Sequence, residues 1–251
     1  MSKAPILVVR LSALALAGLT ALALGLVLPA GSDAGASCFG RSATIVRGSG
    51  NDYVQGTQGP DVIFTGDGND TVASGDGVDR VCGGDGSDTI DTGFKDDFLD
   101  GGSGDDELHG YDGGDRIVGG GGRDFLDGRR GDGNVLIGGE GADRLIGDSD
   151  LRGGAGDDKL NGFGYVSGDP VPDTFDGGSG DDAIKGDDNR DRLRGGDNAD
   201  DVRAGGGNDD VFGEGGSDKL LGEQGDDRID GGPGPDDCEG GPGVDTLQHC
   251  P

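Results

Sequence analysis

From Arg47 onward a large apolar residue recurs every ninth position, and the residues between are glycine, acidic or otherwise polar. Gly101-Gly102-Ser103-Gly104-Asp105-Asp106-Glu107-Leu108-His109 is the clearest copy, of the form G-G-x-G-x-D-x-U-x with U large and apolar. Counted from the first glycine of each unit, the register holds from Arg47 to Leu136 (ten units) and again from Gly168 to Gln248 (nine more). Two further units begin at Gly138 and Gly153. The eighth position reads Val54, Ile63, Val72, Val81, Ile90, Leu99, Leu108, Ile117, Leu126, Val135, Leu145, Leu160, Phe175, Ile184, Leu193, Val202, Val211, Leu220, Ile229, Cys238 and Leu247. Self-similarity at a short fixed period predicts a solenoid. Positions one to six, rich in glycine and acid, predict a turn with permissive φ and close backbone approach. Positions seven to nine predict a short strand pointing out, in, out, with the eighth residue its single inward one. Position seven collects Arg80, Arg116, Arg144, Lys159, Arg192, Lys219 and Arg228, which predicts a solvated outer face.

Composition alone would read as disorder. Sixty glycines and 31% apolar residues cannot fund a conventional core, because glycine loses the most backbone entropy on ordering. Fifty acids against twenty bases give a net charge of −30, which opposes compaction and repels nucleic acid and anionic membrane surfaces. A chain so charged either stays unfolded or is neutralised by a cation. The spacing of the aspartates decides. Twenty of twenty-one units carry Asp at the sixth position: Asp52, Asp61, Asp70, Asp79, Asp88, Asp97, Asp106, Asp115, Asp124, Asp143, Asp158, Asp173, Asp182, Asp191, Asp200, Asp209, Asp218, Asp227, Asp236 and Asp245.

The N-terminus reads as a targeting segment. Lys3 and Arg10 give a positive start, Leu11 to Leu28 is uncharged and rich in Leu and Ala, and Ala34-Gly35-Ala36 offers small residues to a signal peptidase. An uncleaved anchor is the rival, since eighteen apolar residues can just span a bilayer. Pro29, Gly31 and the A-x-A site favour cleavage, and Gly35 disfavours a lipid anchor on Cys38. The expected division is a signal peptide at 1–36, a cap segment at 37–46, repeats at 47–248 and a tail at 249–251. Loss of Lys3, Arg10 and Asp33 would shift the net charge from −30 to −31.

The repeats resemble the hemolysin-type (repeats-in-toxin, RTX) calcium-binding nonapeptide, and the resemblance covers about four-fifths of the chain. Thr44-Ile45-Val46, then repeats, then a terminal cysteine-containing unit, is similar to secreted bacterial proteins built almost wholly of this module. The resemblance implies an all-β fold, a parallel β-roll with two repeats per coil, in which turns eighteen residues apart stack. Asp52, Asp70, Asp88, Asp106 and Asp124 would then line one edge, and Asp61, Asp79, Asp97 and Asp115 the other. It also implies that the sixth-position Asp is the side-chain ligand to Ca²⁺ and that turn carbonyls complete the shell. Stacked at the strand spacing of ~4.8 Å, such carboxylates repel unless filled, and their oxygens suit this hard cation. Zinc and copper fit poorly, since imidazole and thiolate are nearly absent.

Several positions depart from the pattern. Gly133 stands where Asp belongs, and the unit starting at Gly128 is one residue long, with Ile137 extra. Six-residue inserts are read at Gly147–Arg152 and Gly162–Ser167, and Lys95, Val171, Asn189 and Asn198 replace the fourth-position glycine. Reduced calcium occupancy is expected from about Gly128 to Gly177, on one continuous roll with looped-out inserts rather than two rolls.

Enzyme readings find no support in the inventory. His109 and His249 are the only histidines, and H-E-x-x-H, G-x-S-x-G and a Gly-Lys phosphate loop are all missing. Asp148-Ser149-Asp150 opens like an EF-hand loop, but Arg152 and Lys159 fall on ligand positions. Two non-enzymatic functions remain. One is a secreted, calcium-folded structural module, expected as a monomer. The other is an extracellular adhesin or ligand-binding roll that uses a strand face, which a regular outward array would favour; the outward residues are mixed. Four cysteines in an exported chain suggest disulfides and allow three pairings. Proximity favours Cys38–Cys82 and Cys238–Cys250, with a free buried Cys238 as the alternative.

Overall fold

The computed structural model describes residues 36–128, 131, 133–162 and 172–250. The expected signal segment, all but Ala36, most of the second insert and, beyond it, Val171 lie outside them. The described residues form strands, turns and bends, with no helix. One sheet has twelve strands, running from Ile45–Val46 through Arg80–Asp85 and Asp191–Asp197 to Thr246–Gln248. The other has eleven, from Tyr53–Gln55 through Glu107–Asp112 to Asp237–Glu239. Successive strands alternate between the sheets, and each pairs in parallel with the strand two ahead. This is the expected parallel β-roll, two repeats to a coil.

The strands are longer than positions seven to nine. Arg80–Asp85, Phe98–Ser103 and Glu107–Asp112 each run on through position three, so the turn proper is positions four to six. Alternation then gives a second inward position, the first of each unit, filled by Gly83, Thr65, Ser74 or Ala204. Between the sheets the eighth-position residues form one file, Val54 to Ile229, nearly all wholly buried. At about one large side chain per nine residues, this core is a single file, not a layer. Leu247, also at the eighth position, is 48% exposed, since no further coil covers it among the described residues.

The interruption between the two regular stretches is resolved differently from the sequence reading. Arg116, Ile117 and Val118 pair with Val135, Leu136 and Ile137. Leu136 is therefore the inward residue and Val135 faces out, so the extra residue lies in the preceding turn and is not Ile137. Asn134, not Gly133, occupies the sixth position. Gly147–Arg152 is not a looped-out insert either. Asp150–Ala155 is a strand of the twelve-stranded sheet, and Leu151 is a core residue with no exposure. That stretch is a six-residue unit that keeps its strand and shortens its turn. The inward partners Leu136↔Leu151 and Leu151↔Phe175 bracket a short coil and then a long one. Turns absorb the length changes while strand register is kept, since a one-residue slip would expose the whole core file. The roll is continuous, as expected.

Both expected disulfides are present, Cys38–Cys82 and Cys238–Cys250, with Cα separations of 5.7 and 5.8 Å, and no cysteine is free. At the N-terminal end Ser37–Cys38 pairs antiparallel with Arg41–Ser42, Cys38 is buried, and Phe39 packs on Phe98 at 5.5 Å. At the other end Cys238 packs against the core file and ties down Cys250. Solenoid ends expose core and strand edges, and these two clips sit at the ends.

Candidate metal centre

Each turn ends in its sixth-position residue, so the parallel stacking puts these side chains in two columns, one along each edge. Along the first run Asp52, Asp70, Asp88, Asp106, Asp124, Asp143, Asp158, Asp182, Asp200, Asp218 and Asp236. Each of the first ten donates its backbone N–H to Oδ1 of the next, at 2.7–3.0 Å. The column is unbroken through the irregular coils. Along the second edge run Asp61, Asp79, Asp97 and Asp115, then Asn134 and Ser149, then Asp173, Asp191, Asp209, Asp227 and Asp245. All twenty aspartates read from the sequence thus fall in the two columns. Eighteen are buried; Asp52 and Asp245, at the ends, are half-buried.

The fifth position plays a part the sequence reading missed. Asn51, Asn69, Asp105, Asp157, Asp181, Asn208 and Asp226 each accept, through Oδ1, the fifth-position N–H of the following rung. Sixth-position side chains bind backward along the stack and fifth-position ones forward. Recurrence of Asp and Asn at that position was the available signal.

At most rungs one carboxylate oxygen is thereby accounted for and the other is not. Oδ2 of Asp70, Asp88, Asp97, Asp106, Asp115, Asp124, Asp143, Asp158, Asp182, Asp200, Asp209, Asp218, Asp227 and Asp236, and Oδ1 of Asp191, are buried and accept no hydrogen bond. An orphaned buried acceptor is costly, and an orphaned carboxylate oxygen more so. A second acceptor lies beside many of them. A Cβ added at Gly83 would overlap both Asp88 Oδ2 and Gly101 O, and one at Gly101 would overlap Asp106 Oδ2 and Gly119 O. Carboxylate and carbonyl oxygens converge with no donor between them, which is the arrangement a hard cation requires.

Electrostatics agree. Burial, opposed by the backbone hydrogen bond and reinforced by neighbouring carboxylates, pushes Asp97, Asp106, Asp200 and Asp209 up to about 7. Burial likewise raises Asp88 and Asp124 to about 6 and Asp191 to about 8. Without a cation these columns resist full ionisation at neutral pH.

The departures are instructive. Asn134 donates its Nδ2 to Gly128 O, to Gly131 O at 3.0 Å and to Asp148 Oδ1 at 3.1 Å. Its amide supplies the donor that the regular turns lack. Asp79 Oδ2 accepts from Ser74 Oγ at 2.5 Å, and Asp61 Oδ2 from Thr57 N and Oγ1 at 2.7 and 2.9 Å. At these three rungs of the second edge a donor within the chain meets the need that the other rungs leave open. The outer-face bases are not simply solvated, either: Arg80 lies over Phe98 at 4.5 Å, and Arg144 over Phe125 at 5.3 Å.

A parallel roll whose stacked acidic turns converge carboxylate and carbonyl oxygens defines a calcium-binding β-roll. The chain matches the RTX calcium-binding nonapeptide repeat (4 copies) over residues 47–81, 83–117, 109–132, 131–150, 150–164, 176–211, 185–220 and 212–247. It belongs to that family, and it binds calcium through its roll. No curated protein matches the chain.

Proposed function

We propose that the chain is exported by its N-terminal segment, folds into its roll on binding many calcium ions outside the cell, and serves there as a structural module. The sixth-position aspartates are the side-chain ligands in this reading. Calcium, when bound, would supply the positive charge that neutralises the columns. The observation that carries the reading is the set of fifteen buried carboxylate oxygens without a hydrogen bond among the described residues. Ten lie on the unbroken edge and five on the other, so the first edge holds most of the ions. Asn134 and Ser149 hold none. The chain's own residues do the rest: position-five side chains and backbone N–H groups set the turn spacing, and the core file fixes the register.

Export suits this arrangement, because a chain that stays unfolded at low calcium passes a Sec-type channel and folds only on reaching calcium. Calorimetric titration of the purified protein with Ca²⁺ tests the binding part; on the order of ten to fifteen ions are expected from general calcium-site chemistry. A stoichiometry of one or two would reject it. N-terminal sequencing of protein recovered from culture medium tests export. A first residue of Ser37 supports it, and an intact Met1 start on a membrane-bound chain refutes it.

A further inference from the structure

On the second edge the column resumes at Asp173 after Asn134 and Ser149. As Asp61 does with Thr57, the next rung, Asp191, departs from the regular ones. Its Oδ2 accepts the backbone N–H of Asp187 at 3.0 Å, and Oδ1 is the oxygen left without a partner. Asp191 has no solvent exposure. Asp187 sits at the second position of its unit, where the pattern calls for glycine. Carboxylate oxygens of Asp173, Asp187 and Asp191 all lie within 4.8 Å of one another.

Two other acids at this point of the repeat are placed differently from Asp187. Glu214 and Glu223, also at second positions, have φ of 69° and 67° and point into solvent. Asp187 is not in the left-handed region and is half-buried, with its carboxylate turned in towards Asp191. Arg190, the base in the same turn, pairs instead with Asp210 at 2.9 Å. A cleft of about 300 Å³, lined by Lys185, Asp187, Asp188 and Gly205 among others, leads from solvent to this turn. The Asp187 carboxylate also accepts from Asn189 N at 2.6 Å and Asn189 Nδ2 at 3.3 Å, which steadies the turn but leaves Asp191 Oδ1 unsatisfied.

We propose that Asp173, Asp187 and Asp191 form a three-carboxylate calcium site that fills before the regular rungs. The proposal rests on the calcium reading of the roll and goes beyond the repeat pattern, because Asp187 is a ligand the pattern does not supply. Among the described residues no other three acidic side chains gather this closely, so this rung offers a carboxylate more than the repeat supplies. Calcium affinity follows ligand charge count, so the extra carboxylate separates this site from the rest.

The test is a calcium titration of the full protein in competition with a chromophoric chelator. The native protein should show one ion bound about tenfold or more tighter than the remainder. Asp187→Gly restores the repeat residue at a backbone angle glycine accepts, and should merge that ion into the weaker class. Asp187→Asn keeps an oxygen for Asn189 N–H but removes the charge, and should give the same loss. Asp188→Asn, at the exposed neighbour, should leave the tight ion in place. The proposal is overturned by a single affinity class in the native protein, or by a tight ion that survives Asp187→Asn. A protein that binds no calcium at all would instead overturn the reading of the whole roll.

Discussion

Asp106 and Asn134 occupy the same place in the repeat and meet the same need in opposite ways. Asp106 leaves one oxygen buried without a donor; Asn134 turns an amide onto turn carbonyls. Asp106→Asn should therefore raise the calcium concentration needed for folding, with a loss of about 1–3 kcal/mol of calcium-linked stability. Asn134→Asp should do the reverse to the ion count, adding one while weakening any calcium-free structure. Calcium titrations followed by circular dichroism, with the ions counted by calorimetry, check both. Every sixth-position Asp was legible in the sequence because the motif repeats. Asn134 was not, because the nearest glycine, Gly133, drew the register one residue early. Ser149 was hidden for a related reason: its unit lacks both the Asp and the usual spacing. Position five was legible only as a polar preference, since what it binds is a backbone N–H one coil away.

Strand boundaries show how far a one-dimensional pattern reaches. The large apolar residue marks the inward eighth position, but the inward first position is filled by small residues that the pattern assigns to a turn. Its smallness is a packing fact, since the sixth-position carboxylate of the same unit lies over it. Leu151 was missed because a six-residue unit cannot register with a nine-residue search. It is nonetheless a core residue with no exposure, paired across strands with Leu136 and Phe175. Leu151→Ala should cost about 2–5 kcal/mol in the calcium-loaded protein, as a buried truncation does. A residue on a looped-out insert would change stability by less than about 0.5 kcal/mol. Denaturant unfolding in saturating calcium separates the two. The end clips were legible from cysteine spacing alone. Removing Cys38–Cys82 by paired serine substitution should cost about 2–4 kcal/mol, and more than removing Cys238–Cys250, because its sequence separation is 44 against 12.

Taken whole, the molecule is two acidic columns joined by a single-file core, and its stability is a matter of charge. Burial raises several of the carboxyls in the fold, Asp88 to about 6 and Asp97 and Asp106 to about 7, against 3.8 ordinarily. A group raised on folding supports the fold fully below its unfolded value and ceases to as pH climbs through its folded one. In chelator, therefore, β structure should grow on acidification from pH 8 towards 4, as followed by far-ultraviolet circular dichroism. With calcium the dependence reverses, because protons compete for the same oxygens and the calcium midpoint should rise as pH falls. A chelated protein that loses structure on acidification would contradict this. Calcium-coupled folding itself has the most direct test. Circular dichroism at neutral pH, first in chelator and then in millimolar calcium, should show a largely disordered chain become β-rich in one cooperative step. A β-rich spectrum that persists unchanged in chelator, or no response to calcium, would contradict it.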